Sequence, residues 1–263
     1  MGIVNVTPDS FSDGGAFLDP ERAISHGLRM AAEGADLLDI GGESTRPGAC
    51  PVSGEEELRR VLPVIQGLVA AGGPILSIDT RHTEVAAAAL RAGVSIVNDV
   101  QANRTDPRLW ELVRDTGAGY VCMHMQGEPA GMQDGPHYQQ VTREILAFFH
   151  ERIERLGRLG VDPAQVVMDP GIGFGKTVQH NLELLRDLGD FTRLPHPILL
   201  GVSRKSFLGR VTGAATCDRL AAGLACTVWA ARLGVRIFRT HEVLPTVQAL
   251  QILSAIESGG APA

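Results

Sequence analysis

The 263-residue chain lacks the features that mark several large classes of protein. Its 24 basic residues stand against 30 acidic ones, a net charge of −6, and no basic block provides the positive surface that nucleic acid or an anionic membrane requires. No apolar stretch reaches the roughly 20 residues of a membrane-spanning helix, and no secretion signal opens the chain. We therefore expect a cytoplasmic protein with no nucleic-acid or membrane partner.

Cysteine is scarce as well, and no two cysteines form a CxxC pair. Neither a zinc site nor a disulfide framework is indicated, and we predict reduced thiols that serve mostly in packing. The four residues are Cys50, Cys122, Cys217 and Cys226.

Lysine is the scarcest basic residue, since only Lys176 and Lys205 occur among the 24. A lysine ammonium is compact and flexible, whereas the arginine guanidinium is a planar fork, so the two are not interchangeable. Both lysines lie in loops that follow predicted strands. We interpret them as residues of a binding site, with chance placement of surface lysines as the alternative.

Short runs of β-branched residues alternate with longer stretches of helical period, and the alternation repeats eight times. This pattern is typical of a (β/α)8 TIM barrel, of the α/β class, and a doubly wound open sheet is the alternative. We predict a single domain over residues 1–263 with a flexible tail at 259–263. The chain starts directly in the first strand, so a missing N-terminal segment stays open. The predicted strands are 3–6, 37–40, 75–78, 95–97, 120–123, 166–168, 198–200 and 236–238, and the predicted helices are 20–33, 54–71, 83–92, 107–115, 138–159, 180–188, 218–233 and 244–257.

Polar residues follow nearly every predicted strand. The loops after the strands build the active site of such a barrel, so these residues together indicate a ligand pocket. Asp79, Asn98 and Asp169 offer carboxylate and amide edges that suit a flat, nitrogen-rich heterocycle. A second group, after strands one, two and eight, suits phosphate oxygens and comprises Asn5, Thr45, Arg46, Arg239 and His241.

The glycine-rich segment 171–177 is only superficially similar to a phosphate-binding P-loop. Gly171 stands five residues before Lys176, one fewer than the P-loop pattern requires, which disfavours a Walker-type NTPase. We expect its glycines to let the backbone approach a planar ligand.

Four segments, in this order along the chain, carry a family resemblance. They read MGIVNVTPDSFSDGG at 1–15, DIGGESTRPG at 39–48, DPGIGFGK at 169–176 and SRKSFLG at 203–209. With them the sequence resembles the dihydropteroate synthases of folate biosynthesis over essentially its whole length. The resemblance implies condensation of 6-hydroxymethyl-7,8-dihydropterin pyrophosphate with p-aminobenzoate, a requirement for Mg²⁺, and inhibition by sulfonamides.

The resemblance also implies roles for individual residues. Pterin-binding positions are matched by Asp79, Asn98, Asp169 and Lys205, with Phe174 beside them. Pyrophosphate-binding positions are matched by Asn5, Arg239 and His241, and Asn5 also matches the magnesium position. Further substrate contacts are expected from Phe11, Thr45, Arg46, Pro47 and Ser206. The residues expected to be catalytic, by electrostatic stabilisation and without an assigned general base, are Asp79, Lys205, Arg239 and His241.

Three other functions stay open. A non-catalytic pterin-binding paralogue should have lost residues of the pyrophosphate group or the first two loops. A methyltransferase acting on methyltetrahydrofolate should lack the pyrophosphate group. An aldolase would use Lys205 as a Schiff base. Neither loss is present in the sequence, which favours the synthase.

Two departures from the usual family pattern and one surface feature also matter. The segment 239–242 reads RTHE, where valine and aspartate are usual in the second and fourth places, and the segment 101–104 lacks an expected glycine. The predicted helix 218–233 has more alanine and less charge than a solvated barrel helix. With the resemblance, this predicts a homodimer through the last helices.

Overall fold

The computed structural model describes residues 1–7, 19–44, 51–102, 107–128 and 131–259. Strands β1 to β6 form one parallel sheet in chain order, and β7 and β8 form a parallel pair. The strands are β1 Gly2–Asn5, β2 Leu37–Gly41, β3 Ile75–Asp79, β4 Ile96–Asp99, β5 Gly119–Met123, β6 Val166–Asp169, β7 Leu199–Leu200 and β8 Ile237–Phe238.

Two parallel bridges close these strands into a barrel. One joins Met168 to Ile198, between β6 and β7, and the other joins Gly2 to Thr240, between β1 and the end of β8. At the second bridge the Ile3 N–H donates to the Thr240 carbonyl at 3.0 Å. Since the sheet has no open edge, the predicted (β/α)8 barrel is confirmed and the doubly wound alternative is wrong.

The helices surround the barrel and begin at the signals that the sequence offers. The Asp19 side chain caps the first helix by accepting the N–H of Glu21, and the Ser53 hydroxyl caps the second. Glycines in the left-handed conformation, such as Gly117 and Gly160, end others. The helices are α1 Pro20–Ala32, α2 Gly54–Ala70, α3 Thr83–Arg91, α4 Arg108–Thr116, α5 Val141–Leu159, α6 Val178–Arg186, α7 Leu188–Phe191, α8 Ser206–Thr212, α9 Leu220–Arg232 and α10 Val243–Ser258.

The predicted boundaries differ from these by at most three residues, but two helices were not predicted. The four-residue α7 continues directly from α6 after a break at Asp187. The seven-residue α8 starts at Ser206, directly after the loop that holds Lys205, and ends at Thr212. Helices this short show too few turns for an apolar period to appear in the sequence.

The core fills the barrel and the layer between barrel and helices. Side chains such as Leu38, Ile40 and Ile78 are fully buried there. Among the cysteines, Cys122 and Cys226 pack in this layer, Cys217 is exposed, and Cys50 lies outside the described residues. Of the described helices, none is both long enough and apolar enough to cross a membrane.

Candidate active site

Arg239 links two carboxylates at the carboxyl ends of the strands. Its Nε donates to Asp39 Oδ2 at 2.6 Å, and its Nη2 donates to Asp79 Oδ2 at 2.8 Å. The same Asp39 oxygen accepts Asn98 Nδ2 at 2.9 Å. Three of these residues come from the neighbouring strands β2, β3 and β4, and Arg239 comes from the end of β8, which reaches them only because it closes onto β1. We call them the Arg239 network.

Asp39 is the site residue that the sequence reasoning missed. It lies inside β2 rather than after it, and its side chain is fully buried. A signal was present, since an acidic residue between Leu38 and Ile40 interrupts an apolar strand, and acids are almost never fully buried without a partner.

A second ionic group lies beside this network. Lys205 Nζ is 3.8 Å from the centre of the Phe174 ring, a cation–π distance. Asp169 Oδ1 accepts the Gly171 N–H at 2.7 Å. The predicted pterin-side residues Asp79, Asn98, Asp169, Lys205 and Phe174 therefore line one end of the barrel.

Burial brings the pKa values of three of these groups close to neutral pH. It raises the pKa of Asp79 to about 7, although Arg239 acts in the opposite direction, and it raises the pKa of Asp169 to about 6 against the hydrogen bond from Gly171. Burial and the charge of Arg239 lower the pKa of Lys205 to about 8. Groups with such pKa values cluster at functional sites, because small changes of environment then move protons.

At two glycines the bare backbone lies close to side chains of this pocket. A Cβ on Gly41 would lie 3.5 Å from Asp79 Cβ and 3.9 Å from Asn5 Oδ1, so a bare backbone separates those two residues. A Cβ on Gly173 would lie 3.0 Å from Lys205 Cδ, a tight contact, and Gly173 has a φ of +83°. The glycine segment thus runs close against the Lys205 side chain.

Lys176 has a structural position, unlike Lys205. Its buried ammonium donates to the Phe174 carbonyl at 2.9 Å and to the His124 carbonyl at 3.3 Å, and lies 3.1 Å from His124 Nδ1. These bonds tie the loop after β5 to the loop after β6. Our interpretation of Lys176 as a ligand-binding residue is therefore replaced by a role in holding two site loops together.

The predicted pyrophosphate-side residues are only partly described. Arg239 adjoins Asp79 directly, so the two predicted groups meet in one pocket. Asn5 ends β1 beside Gly41, and His241 Nδ1 lies 2.8 Å from Ser203 Oγ. Ser206 is exposed at the start of α8. Outside the described residues lie Phe11, Thr45, Arg46 and Pro47, and their roles stay predictions.

A further buried carboxyl lies behind the pocket on α2. Glu57 is fully buried, its Oε2 accepts Thr80 Oγ1 at 2.9 Å, and burial raises its pKa to about 8. Glu57, Glu43 and His82 offer ligand atoms within 4.8 Å of one another. Arg81 already engages both Glu43 oxygens, at 3.1 and 3.2 Å, and this positive charge disfavours a bound cation.

Comparison with known proteins places this arrangement in a family. The model described as pterin binding enzyme matches residues 1–241. The dihydropteroate synthase of Escherichia coli K12 is 42% identical over 255 residues, covering 97% of this chain and 90% of that protein, and the Mycobacterium leprae enzyme is 44% identical over 262 residues, covering 97% and 92%. Among solved structures, Yersinia pestis dihydropteroate synthase with a sulfonamide drug complex has a TM-score of 0.92 at 42% identity, covering 98% of this chain and 93% of that chain. Xanthomonas albilineans dihydropteroate synthase with 4-aminobenzoic acid has a TM-score of 0.92 at 48% identity, covering 98% and 92%. The chain therefore belongs to the pterin-binding enzymes, among the dihydropteroate synthases.

Proposed function

We propose that the pocket joins 6-hydroxymethyl-7,8-dihydropterin pyrophosphate to p-aminobenzoate, giving 7,8-dihydropteroate and pyrophosphate, the reaction of the family to which the chain belongs. The observation that carries this proposal is the Arg239 network beside Lys205 and Asp169, at the end of the barrel where TIM-barrel active sites lie. It combines carboxyl groups for a heterocycle with cations for an anionic leaving group.

The carboxyl groups recognise the pterin. Asp79, Asp169 and Asn98 are held by buried strand ends, so their oxygen and amide atoms meet the ring edge without further ordering. Lys205 stands over the Phe174 ring and adds an ammonium that hydrogen-bonds a ring acceptor. The residues that bind the ring are therefore fixed before the substrate arrives.

The reaction breaks the C–O bond between the pterin methylene and the pyrophosphate, and the electron pair leaves with the pyrophosphate. The arylamine nitrogen forms the new C–N bond and then releases a proton. The Asp79 carboxylate stabilises positive charge on the pterin methylene, while Arg239 and His241 stabilise the departing pyrophosphate. An arylamine is nucleophilic near neutral pH, so this scheme needs no strong base.

We propose Mg²⁺ as the metal that accompanies the pyrophosphate. Mg²⁺ prefers oxygen ligands and is usually held by one or two protein oxygens together with substrate phosphates. The Asn5 carboxamide oxygen, beside Gly41 at the end of β1, fits this preference. When bound, the ion neutralises charge on the leaving group, and Asn5 would hold it there.

We propose a cytoplasmic homodimer that binds p-aminobenzoate and sulfonamides through its first two loops. The outer surface of α9 and α10 exposes large apolar side chains, Trp229 by 51%, Ile252 by 63% and Ile256 by 71%. A patch of this kind supports an interface with a second copy. The three described cysteines are free thiols, which supports a reducing compartment.

Pyrophosphate release from the purified protein tests the activity. With dihydropterin pyrophosphate and Mg²⁺ present, we expect release that depends on p-aminobenzoate and yields dihydropteroate. The variant Asp79→Asn should lose most of this turnover, whereas Arg232→Gln, at an exposed ion pair 3.7 Å from Glu257, should not. Tight pterin binding without release would refute the synthase and favour a non-catalytic paralogue.

A further inference from the structure

His241 is held from the neighbouring loop by one hydroxyl. Ser203 Oγ, in the loop after β7, lies 2.8 Å from His241 Nδ1 and also accepts the His241 backbone N–H at 3.2 Å. The same hydroxyl donates to Glu242 Oε2 at 2.8 Å. Glu242 Oε1 in turn accepts Arg204 Nε at 2.5 Å.

The single proton of the Ser203 hydroxyl determines which ring nitrogen of His241 carries a proton. A serine hydroxyl has one proton to donate and two lone pairs to accept with. Glu242 is paired with the Arg204 guanidinium, so it is a carboxylate and can only accept. The Ser203 proton therefore goes to Glu242, and both Ser203 lone pairs receive N–H groups of His241. The ring proton of His241 must then lie on Nδ1.

We infer that Ser203 and Glu242 are positioning residues that fix the His241 ring with its proton on Nδ1. This inference rests on the proposed role of His241 toward pyrophosphate. Any hydrogen bond from the His241 ring to a phosphate oxygen then runs through Nε2. With the first ring proton on Nδ1, Nε2 can donate only when the ring carries its second proton.

The Glu242 backbone is itself fixed, which keeps the carboxylate aimed at Ser203. The Glu242 N–H donates to Thr240 Oγ1 at 3.1 Å, and its carbonyl accepts Thr246 Oγ1 at 2.7 Å. Among the described residues of the two loops, the charged side chains are Arg204 and Lys205 after β7 and Arg239 and Glu242 on either side of His241. The Thr240 and Glu242 departures noted in the sequence thus meet in one hydrogen-bonded unit.

Nitrogen-15 NMR of histidine-labelled protein tests the tautomer without requiring turnover. The His241 signal is identified among the eight histidines by its loss in His241→Gln. In the wild type we expect the neutral ring to be protonated on Nδ1. In Glu242→Gln the amide NH₂ donates to Ser203, so the hydroxyl proton turns to Nδ1 and the ring proton moves to Nε2. The matched control Glu257→Gln, an exposed carboxylate, should leave the His241 signal unchanged.

Kinetics supply the second readout. Ser203→Ala should raise the KM for dihydropterin pyrophosphate about 10- to 100-fold, the range seen when the outer partner of a metal-ligating histidine is removed, and should leave the KM for p-aminobenzoate unchanged. Ser203→Thr keeps the hydroxyl and should restore the wild-type value. Titration with inorganic pyrophosphate and Mg²⁺ should shift the Nε2 signal in the wild type and less in Ser203→Ala.

The two proposals fail in different ways. A wild-type ring protonated on Nε2, or a Glu242→Gln signal identical to the wild type, overturns the positioning role even if the enzyme is active. A ring protonated on Nδ1 in a protein that makes no dihydropteroate supports the positioning and overturns the proposed function.

Discussion

Replacing Glu57 by glutamine should change how the stability of the fold depends on pH. Glu57 is fully buried in α2, and its Oε2 accepts the Thr80 hydroxyl at 2.9 Å, while its Oε1 has no hydrogen-bond partner among the described residues. Burial raises the pKa of this carboxyl from 4.5 to about 8. The folded protein therefore keeps Glu57 protonated at neutral pH, whereas the unfolded chain ionises it.

The size of the effect follows from proton linkage. Because the folded pKa is above the unfolded one, the contribution of Glu57 to stability is complete below pH 4.5 and is lost as the pH rises toward 8. Each pH unit in this window costs about 1.4 kcal/mol, so the wild type loses about 3 kcal/mol between roughly pH 5 and pH 7 through this group alone. Glutamine keeps an oxygen for Thr80 and does not titrate. Its buried NH₂ adds a cost that is independent of pH.

Urea denaturation of wild type and Glu57→Gln at pH 5, 6, 7 and 8 measures this difference. The other titrating groups of the pocket are present in both proteins, so their contributions cancel when the two curves are subtracted. We expect the stability of the variant relative to the wild type to rise by about 3 kcal/mol from about pH 5 to pH 7. Glu55→Gln, an exposed carboxylate of the same helix, should show no such rise. Parallel curves for Glu57→Gln would mean that Glu57 ionises in the folded state, and the reasoning would be refuted.

Three further predictions test packing, catalysis and assembly. Gly171→Ala places a Cβ 1.9 Å from the His124 carbonyl oxygen at a φ of +66°, so it should lower stability in thermal melting by at least about 2 kcal/mol. The control Gly157→Ala, with open space around it in α5, should raise stability by about 0.5–1 kcal/mol. In Arg239→Lys the lysine ammonium cannot bond Asp39 and Asp79 with the planar fork that arginine uses. The kcat/KM for dihydropterin pyrophosphate should therefore fall about 100-fold in a folded protein, and an unchanged value would contradict the proposed role of Arg239. Ile256→Lys should turn the proposed dimer into a monomer in light scattering at micromolar concentration, and a monomeric wild type would refute the dimer.

The barrel was predictable because its signal is repeated, whereas the contacts of the site are made once. Eight βα alternations leave few folds to consider, and the loops after the strands then identify Asp79 and Asp169 as site residues. No local sequence pattern indicates that Arg239 pairs with Asp39, which lies 200 residues away in the chain. That contact exists only after the barrel closes. Glu57 was missed for a related reason: it follows two acidic residues at a helix start, where acids are usually exposed and favourable to the helix dipole.

The scarcity of lysine becomes meaningful once the two lysines are compared in the structure. Lys176 faces three acceptors gathered around one point, two carbonyls and His124 Nδ1, and a compact ammonium satisfies them where the planar fork of arginine could not. Lys205 lies in a pocket where burial and Arg239 lower its pKa to about 8, so its charge responds to what enters the pocket. An arginine there would stay charged at every accessible pH. A chain that otherwise uses arginine thus keeps lysine where shape or a removable proton matters, and both places are loops of the same site.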